Sequence, residues 1–185
     1  MYINKIKNDK LNNISYFYKM DNAKYNVKIM LKKRGYTLVE ENDNVLLLNK
    51  NKNKLLLFFN PLPKLNIQIM KEFLSFLQQQ QINHGIIVYK ISTTSQARKI
   101  ISNLFNINIE LFSLEELQFD ITTHKYYRPH IKLNEDEKQD FINNFGSKIP
   151  FLLKTDQIVR YFNFEKGDII KVIRKDNYIS YRMVK

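Results

Sequence analysis

The sequence predicts an α/β domain over residues 1–120, with a mixed sheet flanked by helices, and a small α+β domain over residues 121–185. Two observations support this division. Strand patterns alternate with helix patterns between residues 36 and 120, and the segment from Thr122 to Pro129, which has no obvious element, separates them from a second group. The hydrophobic fraction of 44%, with only 4 Gly and 4 Pro, indicates that most of the chain lies in helices and strands.

The first element is a helix predicted from Asn12 to Arg34. Its apolar residues recur at three- and four-residue spacings, and neither Pro nor Gly interrupts them. Lys32 and Lys33, together with Arg34, offset the helix dipole at the C-terminal end, and Gly35 suits the left-handed residue that ends a helix.

The rest of the first domain alternates between strands and helices. Asn-rich turns separate three short strands, an Asn-Pro-Leu-Pro segment precedes a helix, and a β-branched run is typical of a central buried strand. Ser113 and Glu116 form a capping-box pattern that predicts one more short helix. In order, the predicted elements are strands at 36–40, 45–48 and 55–59, a helix at 65–80, a strand at 86–89, a helix from 92–95 to 104 and a strand at 106–112.

The second domain is predicted from local end signals. Asn134, followed by acidic residues, caps one helix, and Asp156 caps a shorter one. In order, the elements are helices at 134–145 and 155–162 and paired strands at 168–174 and 178–184, with residues 175–177 as the turn.

The net charge of +12 favours a polyanionic partner such as nucleic acid. It is spread over both domains, with 17 basic and 10 acidic residues in 1–120 and 13 and 8 in 121–185. The abundance of Lys, Asn and Ile leaves a second explanation open, the codon bias of an AT-rich genome. No apolar run reaches the roughly 20 residues of a membrane helix, so we expect an intracellular protein without a membrane partner.

Catalytic motifs are not found in the sequence. The absence of Cys excludes a disulfide, a thiolate zinc site and a Cys nucleophile. The four Gly are too widely spaced to form a Walker A loop or a dinucleotide fingerprint, and no Asp-rich loop of the polymerase type is present. His124 and His130 have no third ligand nearby in sequence. We therefore expect no catalytic residue, no metal site and no cofactor.

The last 65 residues contain an ordered series of short motifs. They are Ile121–His124, Glu135-Asp136-Glu137, Ile149-Pro150, Asp156, Val159–Phe162, Lys166-Gly167-Asp168, Lys171–Arg174 and Tyr181–Val184. This series resembles the C-terminal domain of the fifth subunit shared by eukaryotic DNA-dependent RNA polymerases, and the shorter archaeal counterpart of that protein. Met30–Tyr36 and Ser92–Ile100 resemble the jaw domain of the eukaryotic form.

The resemblance implies a non-catalytic subunit of a DNA-directed RNA polymerase. Its C-terminal domain is expected to dock on the largest subunit, and its jaw, whose fold in this family is similar to restriction endonucleases, to line the channel for downstream duplex DNA. Gln157, Phe151 and a shortened hairpin turn depart from the family pattern. Such divergence suggests a large DNA virus, with the protein in virion and host cytoplasm, or an AT-rich eukaryote, with the protein in the nucleus.

Candidate contact residues follow from the same resemblance. Thr94, Ser95, Arg98 and Lys99 open a helix whose N-terminus suits a phosphate, and Lys32 and Lys33 are further DNA-contact candidates. The edge of the final hairpin and the Ile149-Pro150 loop are expected to meet partner subunits. The assembly candidates are His130, Pro150, Asp156, Arg160, Tyr161, Gly167, Arg174 and Arg182.

Two other functions remain open from the sequence. One is a free-standing basic DNA-binding protein. The other is a decayed nuclease-fold enzyme, but such nucleases need a Glu/Asp-x-Lys motif on a strand to place carboxylates on Mg²⁺, and the strands at 45–48 and 55–59 contain none.

Overall fold

The computed structural model describes residues 2–146 and 148–185, with side chains described from Tyr16 onward. The chain forms two compact units, divided between Phe119 and Asp120. We call them the N-terminal unit and the C-terminal unit. None of the helices in the described ranges combines the length and hydropathy that crossing a membrane requires.

The N-terminal unit contains three helices and seven strands among the described residues. In chain order they are α1 (Tyr2–Lys33), β1 (Thr37–Glu41), β2 (Val45–Lys50), β3 (Asn53–Phe59), β4 (Lys64–Leu65), α2 (Ile67–Gln79), β5 (His84–Tyr89), β6 (Ser92–Thr93), α3 (Ser95–Ser102) and β7 (Asn108–Ser113). The sheet order is β1-β2-β3-β5-β7; the first three strands are antiparallel, and β3, β5 and β7 are parallel. The predicted mixed sheet is confirmed.

Helices cover both faces of this sheet. On one face, α2 and α3 pack their buried Met70, Phe73 and Ala97 against alternate strand residues such as Leu56. On the other face lies α1, whose Lys24 ammonium is 5.8 Å from the centre of the Phe59 ring. Four α1 side chains on this side are fully buried: Ala23, Val27, Met30 and Leu31. Burial of these two apolar layers is the main source of stability.

The C-terminal end of α1 agrees with the predicted end, but its N-terminal start differs from the predicted start. Gly35 has φ +86°, its N–H donates to the Lys32 carbonyl, and the Tyr36 N–H donates to the Leu31 carbonyl, which is a Schellman motif. The helix begins at Tyr2, ten residues before the predicted start. The added segment is rich in Asn and Lys and shows no apolar stripe, but it contains no Pro or Gly that would stop a helix.

The helix predicted after Ser113 is wrong. The capping-box hydrogen bonds form, since the Ser113 N–H donates to Glu116 Oε2 at 2.7 Å and the Glu116 N–H donates to Ser113 Oγ at 3.2 Å. The chain makes only a turn there, with Leu114 and Leu117 both buried, and the unit ends two residues later. A local cap therefore forms without a helix to follow it.

The C-terminal unit is an α+β fold. Its elements are β8 (His130–Lys132), α4 (Glu135–Phe145), β9 (Phe151–Leu152), α5 (Gln157–Phe162), β10 (Ile169–Ile173) and β11 (Ile179–Val184), with 3₁₀ turns at Ile121–Thr123 and Lys175–Asn177. Asn134 caps α4 as predicted and forms a capping box with Glu137, and Asp156 caps α5. Gly167, at φ +89°, makes the turn that leads into β10.

The hairpin edge predicted as an assembly contact is largely covered. The sheet order is β8-β10-β11-β9, so the β10–β11 hairpin lies between two further strands. β8 pairs with β10 through residues 170–172, and β9 pairs with the end of β11 through Met183 and Val184. The sequence did not show this because β8 and β9 have only three and two residues, too short for a strand pattern.

Candidate assembly and nucleic-acid surfaces

Three assembly candidates surround one position of the C-terminal sheet. His130 pairs with Val172 on β10, and Val172 pairs with Ser180 on β11, whose hydroxyl accepts a hydrogen bond from Arg174 Nε at 3.0 Å. Two residues further along the same two strands, Ile170 on β10 pairs with Arg182 on β11. Because residues directly opposite in a sheet share a face, the sheet brings His130, Arg174 and Arg182 together. We call these three residues the basic face.

The pKa of His130 is lowered by burial and by nearby charges. Burial lowers the pKa of His130, and the positive charges of Arg174 and Arg182 lower it further. The Arg128 carbonyl, which lies 2.6 Å from Nδ1, and the carboxylate of Asp156 act in the opposite direction but do not reverse the shift. The neutral imidazole is therefore favoured, with its proton on Nδ1, and the positive charge of the basic face resides on its two arginines.

The remaining surface candidates have structural partners in this unit. The Asp156 carboxylate accepts the Ile158 N–H at 2.8 Å, as the cap of α5. Pro150 is exposed, and its carbonyl accepts the Met183 N–H at 3.0 Å.

Two further candidates are less exposed. Arg160 is half-buried on α5. Gly167 is also half-buried, and its N–H donates to the Val184 carbonyl. Asp156 and Pro150 are accessible to a partner.

Tyr161, one of the predicted assembly residues, lies almost entirely inside the C-terminal unit. Its side chain is only 6% exposed, and its hydroxyl donates to Asp120 Oδ1 at 2.9 Å. Asp120, at 7% exposed, also accepts the N–H and the hydroxyl of Thr122. Tyr161 is thus part of the hydrogen-bonded interior of the C-terminal unit. The Arg-Tyr sequence of α5 could not reveal this, because the partner lies 41 residues earlier in the chain.

The DNA-contact candidates fall into two groups at opposite ends of the parallel strands. Thr94 caps α3 by accepting the Ala97 N–H at 3.3 Å, and it follows β5 and the two residues of β6 in the chain. Lys32 and Lys33 lie at the end of α1, which meets the start of β5 through the Tyr36 hydroxyl. The two groups therefore lie towards opposite ends of β5, a strand of six residues that is about 20 Å long. Ser95, Arg98 and Lys99 are exposed, and Arg98 Nε donates to the Thr93 hydroxyl.

Arg34, in contrast to its two basic neighbours, is withdrawn from solvent. It forms a double hydrogen bond with Glu110, with Nη1–Oε1 at 2.7 Å and Nη2–Oε2 at 2.8 Å. His84 Nε2 lies 2.7 Å from the same Oε1, and the Tyr36 hydroxyl lies 3.1 Å from His84 Nδ1. These four residues, which we call the buried network, join the end of α1 to β5 and β7.

Glu110 is held in its charged form. Burial alone raises the pKa of Glu110, but hydrogen bonds and charge from His84 and Arg34 outweigh burial and leave the pKa below its ordinary value of 4.5. A carboxyl with a lowered pKa stabilises the fold above the pKa of the unfolded chain, and this contribution is lost as the pH falls towards the folded pKa.

The lowered pKa of Glu110 predicts acid-sensitive stability of the N-terminal unit. Below pH 4.5 the unfolded chain takes up a proton that the folded carboxylate does not, so the free energy of unfolding falls by at most about 1.4 kcal/mol per pH unit from this group. Urea unfolding between pH 3.5 and 6 measures it, with Glu110→Gln as the control. If both proteins lose stability with the same slope, Glu110 is not the group responsible.

The described residues contain no group of three or more His, Asp or Glu side chains that could hold a metal ion. His124 and His130 each use Nδ1 for a local contact instead. His124 Nδ1 accepts the Tyr126 N–H at 3.3 Å, and His130 Nδ1 faces the Arg128 carbonyl.

Comparison with known proteins matches the C-terminal unit to one family. The model of the RNA polymerase Rpb5 C-terminal domain covers residues 119–184. DNA-directed RNA polymerase V subunit 5A of Arabidopsis thaliana is 31% identical over 140 residues, 72% of this chain and 62% of that protein. The C-terminal unit belongs to the family of the fifth RNA polymerase subunit.

Other members of the fifth-subunit family are similar to this chain as well. DNA-directed RNA polymerase subunit 5-like protein 1 of Arabidopsis thaliana is 26% identical over 187 residues, which cover 83% of this chain and 89% of that protein. Subunit rpabc1 of DNA-directed RNA polymerases I, II and III of Dictyostelium discoideum is 27% identical over 136 residues, 68% of this chain and 69% of that protein. One solved structure, of a protein of unknown function, superposes with a TM-score of only 0.38 at 11% identity over 70% of this chain and 78% of that chain.

The buried network of this fifth-subunit relative has no counterpart among the sequence predictions. The basic cluster at the end of α1 does not distinguish Arg34 from the exposed lysines, and the sequence suggests no role for His84. A signal does exist, since Glu110 is an acidic residue inside a predicted strand, and a buried carboxylate requires a cation nearby. The identity of that cation could not be inferred, because Arg34 lies 76 residues away.

Proposed function

We propose that this protein is a non-catalytic subunit of a multisubunit DNA-directed RNA polymerase. In this proposal the C-terminal unit docks on the largest subunit, and the N-terminal unit acts as a jaw that holds the backbone phosphates of downstream duplex DNA without reading its sequence. The observation that carries the proposal is the family match, whose span of 119–184 coincides with a compact unit of the structure, residues 120–185.

Docking through the basic face is the finer part of the proposal. Arg174 and Arg182 are two of the residues that the sequence motifs singled out, and the sheet brings them together with His130 although they lie more than 40 residues from it in the chain. Arginine forms paired hydrogen bonds with carboxylates, so an acidic segment of the largest subunit is the partner that fits.

Duplex DNA contact by the N-terminal unit rests on α3. Its N-terminus has the Thr94 cap and exposed basic residues within two turns, an arrangement that suits a phosphate. Lys32 and Lys33 lie towards the other end of β5, at the end of α1, where no helix N-terminus accompanies them. We therefore propose α3 as the DNA-facing end. The similarity of the jaw to restriction endonucleases stays a prediction.

The expected location of the protein in the cell depends on the organism that encodes it. In a cellular eukaryote we expect the protein in the nucleus with its polymerase. In a large DNA virus we expect it in the virion and in the host cytoplasm. Neither case requires a cofactor in this subunit.

A photo-crosslinking residue at Ser95 is predicted to attach to downstream DNA. Ser95 is exposed at the start of α3, and the same residue at Gln79, exposed at the end of α2, is the control. In a transcribing polymerase that contains the full-length chain, we expect crosslinks to template DNA ahead of the active site from Ser95 and none from Gln79. Equal crosslinking from both positions, or none from Ser95, contradicts the assignment of α3 as the DNA-facing end.

A further inference from the structure

A polar cavity of about 410 Å³ opens at the end of the N-terminal unit away from α3. It lies between the β2–β3 turn, the end of α2 and the start of β5, and its wall includes Tyr36, Lys52, Lys54, Gln81 and His84. The other wall residues are amides, so no carboxylate lines the cavity. Two smaller cavities of the same unit, of about 230 and 220 Å³, each contain a glutamate in the wall.

Two wall residues adopt a backbone conformation that their type rarely takes. Among the described residues other than Gly, six have a positive φ, and four of these are Asn or Asp, which tolerate it. The other two, Lys52 at φ 72° and Gln81 at φ 55°, both line this cavity. Such strain, where Gly or Asn would cost less, is often associated with function.

The unbalanced charge of the cavity is positive. Lys52 and Lys54 are exposed and make no ion pair among the residues that the structure describes. Lys50 is not in the wall; its Nζ donates to the Arg34 carbonyl at 2.6 Å and lies 5.7 Å from the centre of the Tyr36 ring. The Glu110 carboxylate is not part of the cavity wall; it lies 2.7 Å from His84 Nε2 and is balanced by Arg34.

We propose that this cavity binds a phosphate group. Ammonium groups from Lys52 and Lys54, together with the side-chain amide N–H groups of Gln81 and its neighbours, form a set of donors around a space large enough for a phosphate oxyanion. Asn51 and Lys52 are the two central residues of a type I′ turn. Lys52 occupies the second of these positions, which is normally a Gly. The inference does not depend on the polymerase assignment, because it concerns only the isolated chain.

The Lys52→Gly variant separates ligand binding from folding. Glycine removes the charge and adopts a positive φ without strain, so we expect the midpoint of thermal unfolding to be unchanged or higher. Isothermal titration of the full chain with inorganic phosphate should give saturable binding, and Lys52→Gly should weaken it about ten-fold. Lys54→Gln should also weaken the binding of inorganic phosphate.

Two matched controls make the test specific. Asn51→Gly changes the neighbouring residue of the same turn, which has φ 49° and does not line the cavity. Lys71→Gln removes one exposed charge elsewhere, on α2. Both should leave phosphate affinity within about two-fold of the original protein. An absence of saturable binding overturns the proposal, and so does an equal loss in Lys52→Gly and Lys71→Gln.

A second titration identifies the source of the phosphate. A short DNA duplex competes with inorganic phosphate, and loses affinity in Lys52→Gly, if the cavity receives a nucleic-acid backbone. If duplex affinity is the same in Lys52→Gly and Lys71→Gln while phosphate affinity differs, the ligand is a free phosphate or a small phosphorylated molecule. Either result supports the phosphate site.

Discussion

Replacing Glu110 by Ala is expected to destabilise the N-terminal unit by about 3–5 kcal/mol. The substitution removes the carboxylate from a double hydrogen bond with Arg34, whose side chain is only 4% exposed, and leaves a buried guanidinium without its counter-charge. His84 loses its Nε2 partner at the same time. A loss of this size is a large fraction of the stability of a typical domain, so urea unfolding should show a clear shift of the midpoint.

Glu41→Ala is the matched control for Glu110→Ala. Glu41 also pairs with a cation of α1, Lys28, at 2.6 Å, but both partners are more than a third exposed. Such a surface pair contributes less than about 1 kcal/mol. If the two alanine variants lose similar stability, the buried network does not stabilise the N-terminal unit through its buried charges.

Reversing both arginines of the basic face is expected to abolish assembly. In Arg174→Glu/Arg182→Glu, two carboxylates face the acidic segment that we propose as the partner, and like charges across an interface cost several kcal/mol. We expect recovery of the largest subunit with the tagged chain to fall at least about a hundred-fold. The variant should stay folded, because neither arginine is buried and their side chains donate to surface acceptors, the Ser180 hydroxyl and the Phe151 carbonyl.

The control for this pair is Lys148→Glu/Lys166→Glu. It makes the same change in net charge within the C-terminal unit, at two exposed positions outside the basic face. Assembly should be close to that of the original protein. Loss of assembly in both double variants would show that the net charge of the unit, rather than the basic face, governs docking.

The C-terminal unit could be predicted well because its signals are local. The Asn134 cap, the Asp156 cap and the Gly167 turn each act within four residues, and the structure confirms all three. What the sequence could not show is which side of an element faces inward. Tyr161 lies beside Arg160 in the chain, yet it is buried against Asp120.

The N-terminal unit could be predicted as a set of elements but not as a set of contacts. Alternating patterns predicted its mixed sheet, but the buried network depends on pairs that are 76 and 26 residues apart. The phosphate cavity has no sequence signal for a related reason. Its wall comes from the ends of α1, α2 and β2, and positive φ at Lys52 and Gln81 cannot be foreseen, because neither residue type favours it.

Affinity purification of the tagged full-length chain from its native source tests the polymerase assignment most directly. Mass spectrometry of the purified material gives the identity and molar ratio of whatever accompanies it. We predict that two very large polymerase subunits accompany the chain in near-equal amount, and that both are lost with Arg174→Glu/Arg182→Glu. Recovery of the chain alone would contradict the account and would leave a free-standing DNA-binding protein as the function to test.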